Sequence, residues 1–158
     1  MDFKIEPMVD EDYAQVLNID ILTMKQYLGT KWESLSHEEQ QKLLVARRPY
    51  FDELVKQGFS FVSKSRETIV AFVLARIPAP YNNELFIEYI AIHPDHQGKG
   101  IGPKLYEAVI HKAQISHMYK IKALINTNNL NSMKLHENVG FTLQDKKEAV
   151  LLLEKKLG

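Results

Sequence analysis

The stretch HPDHQGKGIGPKLYEAVI, residues 93–110, sets Gly98, Gly100 and Gly102 at alternate positions and follows them with Pro103 and a run of helical periodicity. Glycine loses more conformational freedom on folding than any other residue, so three of them so close together are costly in a loop that only connects two elements. Their use is a backbone that something approaches closely. From Pro103 onward Leu105, Ala108 and Val109 share one stripe, and proline suits the first helical position. Upstream, ELFIEYIAI, Glu84 to Ile92, is rich in branched and aromatic residues and reads as a mostly buried strand. The unit is therefore strand, glycine loop, helix. A helix N-terminus carries free amide donors and a positive dipole end, so the loop is suited to phosphate oxygens.

Two phosphate loops share that outline, and neither fits the letters. The P-loop needs G-x-x-x-x-G-K-[ST], whereas Gly98-Lys99 follows Asp95, His96 and Gln97 and no Ser or Thr comes next. The dinucleotide fingerprint G-x-G-x-x-G would place its third glycine at Pro103, and the unit lies past mid-chain instead of opening a first βαβ. A third pattern does match. Gln97-x-x-Gly100-x-Gly102 resembles the Q/R-x-x-G-x-G/A signature of the GNAT acyltransferase superfamily. The strand ending Ile90-Ala91-Ile92 is similar to the strand that precedes the loop in that family. Further on, NNLNSMKLHENVGF resembles its later motif, in which an Asn opens a helix that ends in Gly-Phe, here Gly140-Phe141. The resemblance covers residues 84–141 and hardly touches the first 80.

The resemblance implies an α/β (α+β) chain with a mixed, mostly antiparallel sheet flanked by helices, forming one domain over residues 1–158. It implies acetyl-CoA as cosubstrate, with no metal, and a direct transfer of the acetyl group to a primary amine of a small molecule. Its pyrophosphate contacts would be Gln97, Gly98, Gly100 and Gly102, and Ile90 and Ile92 would offer main-chain groups to the pantetheine arm. Lys99 and Lys104 would add charge, or serve only as solvated lysines at a helix end. Asn129 matches the Asn that opens the late helix, where it caps the helix or touches CoA. Pro103 has no N–H, so the loop has one donor fewer if that position donates in relatives.

Acetyl transfer to an amine needs a neutral nucleophile, a stabilised oxyanion and a proton for the thiolate. Glu88, an acid within LFIEYIAI, is the expected base. Strand alternation puts it on one face with Ile90 and Ile92, and desolvation there raises a carboxylate's pKa. A salt bridge or an anchor for the substrate ammonium is the other reading. Many relatives place a tyrosine at the position of His136, where it can protonate the departing sulfur. Imidazole can do the same with a pKa near 6.5, and the plain alternative is an exposed helix residue with solvent supplying the proton. His93 and His96 flank Pro94 with no obvious third metal ligand. Tyr27, Trp32, Tyr50 and Tyr81 are candidates for an acceptor pocket, or for core and rim.

Composition narrows the remaining classes. The chain has 158 residues, 20 basic and 20 acidic side chains and no cysteine. Balanced charge gives no electrostatic case for nucleic acid or a membrane surface, and without cysteine there is no disulfide or thiolate chemistry. No apolar run approaches a membrane span, and MDFKIEPMVDEDY lacks a secretory pattern, so a cytoplasmic setting is expected. A homodimer is among the states the resemblance allows. Acetylation of a peptide or protein, or a catalytically weak acyl-CoA-binding regulatory domain, are the competing functions.

Along the rest of the chain, FKI reads as a first strand, and Asp10 as the cap of a helix to about Leu28 with Tyr13, Leu17, Ile21, Met24 and Leu28 as its apolar stripe. GTKWES reads as a loop. Ser36 caps a helix starting HEEQQKLL, Pro49 breaks or kinks it, and Gly58 closes it. FSFVS and TIVAFVLARI form a hairpin, KIKALIN a strand, NNLNSMKLHENV a helix, and AVLLLEKKL a closing strand, with one or two strands after the last helix.

Overall fold

The computed structural model describes residues 2–158. Its centre is a seven-stranded sheet in the order β1-β2-β3-β4-β5-β7-β6. The strands are β1 (Phe3–Pro7), β2 (Phe61–Ser65), β3 (Thr68–Arg76), β4 (Glu84–Ile92), β5 (Lys120–Asn126), β6 (Thr142–Lys147) and β7 (Val150–Lys156). The helices are α1 (Tyr13–Leu28), α2 (Thr30–Ser34), α3 (His37–Leu43), α4 (Arg48–Gln57), α5 (Ile101–Ile115) and α6 (Leu130–Asn138). Every neighbouring pair is antiparallel except β4 with β5. A parallel pair needs a long crossover, and α5 supplies it. The expected mixed sheet flanked by helices is what forms.

Hydrophobic patterning explains the layering. Ile69 to Ala75 of β3 are all buried, as a strand covered on both faces requires. One core lies under α5 and α6 and joins Leu105, Tyr106 and Val109 to Leu85, Ile87, Ile121 and Leu153. The other lies under α1 and α4 and joins Val16, Ile19, Phe51 and Leu54 to Val62, Phe72 and Leu74. The edge strand β6 is TLQDKK, exposed throughout, and its lysines oppose edge-to-edge pairing. Among the described residues no helix is long and apolar enough to cross a membrane.

Several expectations change in detail. Asp10 does not cap α1: Asp10–Asp12 form a 3-10 turn, and Asp12 Oδ2 accepts from the Val9 amide at 2.9 Å. GTKWES is no loop, because α2 occupies Thr30–Ser34 and buries Trp32. Ser36 caps α3 as expected, in a reciprocal box with Glu39. Pro49 starts a separate helix, α4, in which it is the second residue and its missing N–H costs nothing. Gly58 ends α4 with φ +84°. Two strands follow α6.

The buried face of α1 is the larger departure. Val16, Ile19, Asp20 and Thr23 are buried, while Tyr13, Leu17, Ile21, Met24 and Leu28 lie beside that stripe, half-exposed. A carboxylate and a hydroxyl in the stripe hid its centre from a count of apolar residues. Asp20 is there to receive main-chain donors: Oδ2 accepts from the Val45 and Ala46 amides, each at 2.8 Å, which ties the α3–α4 connection to α1. Its Oδ1 is buried without a partner among the described residues.

Burial pushes Asp20 up to about 6 from 3.8, against the pull of the two amide bonds. The folded chain therefore binds the proton more tightly than the unfolded one, so Asp20 costs nothing below about pH 4. The cost grows between pH 4 and 6 and is complete above 6, at about 3 kcal/mol. Stability should fall with rising pH across that window by an amount on that order, and Asp20→Asn should remove the slope. Urea midpoints of both proteins at stepped pH values measure it, and equal slopes would remove Asp20 from the account.

Candidate active site

The cleft begins where a ladder ends. β4 pairs with β5 only over Glu84–Ile87 against Lys120–Ala123. Beyond that, β4 runs on to Ile92 paired only with β3, and β5 runs on to Asn126 paired only with β7. The two arms part, and main-chain groups between them have no strand to bond. The His93 amide donates to Val70 O at 2.8 Å, which fixes the phase of the β3–β4 ladder. Bonded residues alternate in an antiparallel pair, so Ala91 and Tyr89 also turn toward β3 while Ile90 and Ile92 turn into the cleft. Main-chain groups of Ile90 and Ile92 thus face the gap. Gln97 Nε2 already donates to the Ile92 carbonyl at 3.0 Å, which leaves Ile90 as the freer of the two.

The loop at the end of the β4 arm uses its glycines for two different reasons. Gly98 and Gly100 have φ of +78° and +79°, and a Cβ on either would meet nothing among the described residues within 4 Å. They are glycines for their dihedrals, and they leave open space over the backbone. Gly102 is buried, and a Cβ there would come within 3.1 Å of both Leu135 methyls and 3.5 Å of Ile92 Cδ1. It lets α5 pack against α6 and β4. Helix α5 starts at Ile101, two residues before the expected Pro103, with Gly100 as a cap that has no side-chain hydrogen bond. Pro103 thus occupies the third position, where an N–H would have no intrahelical partner, and among the described residues the Gly100, Ile101 and Gly102 amides remain free donors. Lys99 and Lys104 are exposed beside them, Lys104 Nζ lying 3.6 Å from Glu107.

Gln97 is more tightly held than expected. Its amide exchanges two hydrogen bonds with Gln26 of α1, at 3.2 and 2.9 Å, besides the bond to Ile92 O. Both donors and the acceptor are engaged within the chain. Nearby, His93 Nδ1 accepts from the Asp95 amide at 3.1 Å and its ring meets His96 edge-on. No group of three His, Cys, Asp or Glu side chains among the described residues is placed to hold a metal ion.

Glu88 does not share a face with Ile90 and Ile92. The β3–β4 register jumps from Leu74↔Tyr89 to Ala75↔Ile87, which leaves Glu88 as the extra residue of a bulge. Alternation is broken there. Ile87 and Ile90 both pack under α5, and Tyr89 packs with the α1–α4 core. Glu88 points to the α4 side, where Arg76 Nε donates to Oε2 at 2.8 Å. Burial, and then the Glu88 carboxylate, push the Tyr50 hydroxyl up to about 12. The guanidinium of Arg76 also lies over the Phe86 ring, 4.7 Å from its centroid. Glu88, Arg76 and Tyr50 therefore form one polar group at the inner end of the cleft, which periodicity could not place. Tyr27 reaches the cleft from α1, Trp32 is core, and Tyr81 is 58% exposed.

His136 is a core residue, 2% exposed, neither a surface residue nor a group free to reach a sulfur atom. Its ring packs edge-on against Tyr106 and Phe141. Nδ1 lies 2.7 Å from the Ser132 carbonyl, so it carries the proton, and Nε2 accepts from the Tyr106 hydroxyl. Burial holds imidazole neutral, with its pKa lowered, and raises the Tyr106 phenol far above its ordinary value. Both ring nitrogens are satisfied. The sequence carried the signal: Met133 and Val139 flank His136 at three-residue spacing, which is the apolar face of α6. Asn129 caps that helix, its Oδ1 accepting from the Ser132 amide at 3.1 Å.

Residues 22–141 match the acetyltransferase (GNAT) family. The chain belongs to this family. Over 54 residues it is 39% identical to L-amino acid N-acyltransferase MnaT of Escherichia coli, a match covering 34% of this chain and 31% of that protein. The chain thus spans about a third of the length of the first curated relatives it matches. PaiA N-acetyltransferase of Thermoplasma acidophilum, solved in complex with coenzyme A, superposes with a TM-score of 0.85 at 15% identity over 99% of both chains. YncA of Salmonella typhimurium, solved with its cofactor acetyl-CoA, gives 0.74 at 19% identity over 99% of this chain and 94% of that one. At such identities these structures establish the fold.

Within this GNAT chain, the histidine at the late motif is a packing and hydrogen-bonding element that locks α6 to α5. His136→Ala should leave a cavity and an unpaired, buried Tyr106 hydroxyl, costing roughly 2–4 kcal/mol. Tyr106→Phe should cost about 1–3 kcal/mol by orphaning Nε2. Denaturant unfolding checks both. A His136→Ala protein as stable as the parent would contradict the buried pair.

Proposed function

We propose that this GNAT chain transfers the acetyl group of acetyl-CoA to a primary amine of a small molecule, an amino acid being the acceptor kind that its relatives' names support. One observation carries the reading. An unpaired cleft, with Ile90 main-chain groups facing it, leads directly to a helix end with free amides and no capping side chain. Such an end suits the pyrophosphate, with the Gly100, Ile101 and Gly102 amides as donors and Lys99 and Lys104 as supporting charge. Asn129 acts on the donor only through the helix it caps. The cleft has the form that an extended arm with amide groups can fill as a substitute strand.

At the inner end the Glu88 bulge turns the acid toward the acceptor side. The amine nitrogen must lose a proton as it bonds to the acetyl carbon, and the carbon–sulfur bond must break with the sulfur accepting a proton. Glu88 takes the first proton, directly or through a water, with Arg76 fixing its carboxylate. The Ile90 amide is the first main-chain donor beyond the bulge that faces the cleft, and it stabilises the developing oxyanion. His136 takes no part, being neutral, buried and already bonded; the thiolate is protonated from solvent.

Binding is tested first. CoA should raise the melting temperature, because a ligand selective for the folded state stabilises it by mass action, and Gly100→Val should abolish the shift. A shift that persists in a folded Gly100→Val protein would place the site elsewhere. Catalysis is tested by Glu88→Gln, which should lower turnover by roughly 10²-fold with an unchanged KM for acetyl-CoA. Unchanged turnover with a raised acceptor KM would make Glu88 an anchor for the substrate ammonium. Release of CoA with a panel of amino acids, polyamines and peptides identifies the acceptor, and no release with any amine would leave a binding domain.

A further inference from the structure

Helix α1 ends over the cleft, and its last turn is bonded to both arms. Gln26 exchanges two amide hydrogen bonds, at 3.2 and 2.9 Å, with Gln97, which follows β4. Tyr27 donates its hydroxyl proton to Asn128 Oδ1 at 3.1 Å and accepts from Asn126 Nδ2 at 3.4 Å. Asn126 is the last residue of β5 and Asn128 lies in the turn after it. One turn earlier, Thr23 Oγ1 lies 3.2 Å from the Tyr89 hydroxyl, just beyond the bulge. The end of α1 therefore crosses the gap between the parted strands, on the face opposite α5. A chain lying in the gap, from the glycine loop to the bulge, passes beneath Gln26 and Tyr27.

We propose that Gln26 and Tyr27 are positioning residues for the donor: they strap the last turn of α1 across the pantetheine arm and retain it in the cleft. This rests on the acetyl-CoA reading. The chemistry of the strap suits that task. Amide and phenol groups can exchange their present partners for the amides of the arm without desolvating a charge. The side chains that anchor Gln26 and Tyr27 are exposed, so the strap can lift to admit a ligand at small cost while Thr23 and Tyr89 hold the turn before it. Gly29 ends the helix at φ +59° and ψ −133°, a conformation open to glycine, and a Cβ there would meet nothing among the described residues within 4 Å. The strap turn is thus joined to α2 through the residue type best able to absorb its movement.

The strap covers the middle of the donor and leaves the amides of α5 to the phosphates, and this separates its effect from a general loosening of the site. Tyr27→Phe and Gln26→Ala should each speed CoA dissociation, measured by displacement in a stopped-flow chase, by about 3- to 10-fold. The sole tryptophan, Trp32, lies in the short helix that follows α1 and can report the event. Affinity for adenosine 3′,5′-bisphosphate, which keeps the 3′-phosphate and one 5′-phosphate of the anionic end and lacks the arm, should be unchanged in both variants, as should melting temperature and acceptor KM. Unaltered CoA dissociation would overturn the strap, and so would equal weakening of CoA and the bisphosphate. If the parent protein binds no CoA, the acetyl-CoA reading itself fails; if it binds and the variants release CoA at the parental rate, only the strap fails.

Discussion

The parting of β4 from β5 after Ile87 and Ala123 sets the form of everything around it. Main-chain donors and acceptors left without a strand must find water, a side chain or a ligand, since leaving them buried and bare is costly. At the closed end the two strands are held by more than their ladder. Glu84, 5% exposed, lies 2.9 Å from Lys122 Nζ and 3.6 Å from Lys120 Nζ, and accepts from the Tyr119 hydroxyl at 2.9 Å. Burial alone would raise its pKa; the Lys122 and Tyr119 bonds and the two lysine charges outweigh burial and lower it. Glu154 extends the cluster from β7 by lying 3.3 Å from Lys120. The charges pin the strands together at one end, so the opening is confined to the other.

The bulge decides what the open end can do. Without Glu88 as an extra residue, strict alternation would carry the acid under α5 with Ile90, among aliphatic side chains. With it, consecutive residues Glu88 and Tyr89 both turn to the α1–α4 side, while Ile90 keeps its main-chain groups on the cleft. One inserted residue thereby separates an apolar layer that packs the helix from a polar layer of Glu88, Arg76 and Tyr50. A bulge costs a ladder bond, and the Arg76 guanidinium offsets part of that cost by bridging β3 to the displaced residue.

The central unit was legible because its signals are local. Glycines at alternate positions, a β-branched run before them and an apolar stripe after them each reflect a constraint within a few residues. The same letters could not tell the two kinds of glycine apart. Gly98 and Gly100 answer to their own dihedrals, whereas Gly102 answers to Leu135 on a helix far along the chain. Glu88 was misplaced for a related reason: a bulge is a property of two strands in register, and one strand's sequence does not contain it. His136 was misread through its chemistry. Read by its neighbours Met133 and Val139 it is a core position, and imidazole fills that position because Tyr106 and the Ser132 carbonyl satisfy its two nitrogens.

The N-terminal helices were the least legible part, and the cause is physical. The buried stripe of α1 contains Asp20 and Thr23, each bonded to a main-chain or side-chain group that only the fold brings near. A stripe built on hydrophobicity alone shifts to the neighbouring face, as it did here. Those polar residues also explain why α1 lies where it does. Apolar packing against Val62, Phe72 and Leu74 fixes the layer and leaves the helix free to slide or rotate within it. The Asp20 clamp on Val45 and Ala46 and the Thr23–Tyr89 pair fix register and rotation, because hydrogen bonds are directional where dispersion is not. With register fixed, the last turn must fall across the gap between β4 and β5, and the polar groups at positions 26 and 27 meet Gln97 on one side and Asn126 and Asn128 on the other. The specificity of the roof over the cleft thus originates in buried polar contacts set back along the helix, one at Thr23 a turn before the strap and one at Asp20, about ten ångströms of axis from Tyr27 by the rise of seven residues.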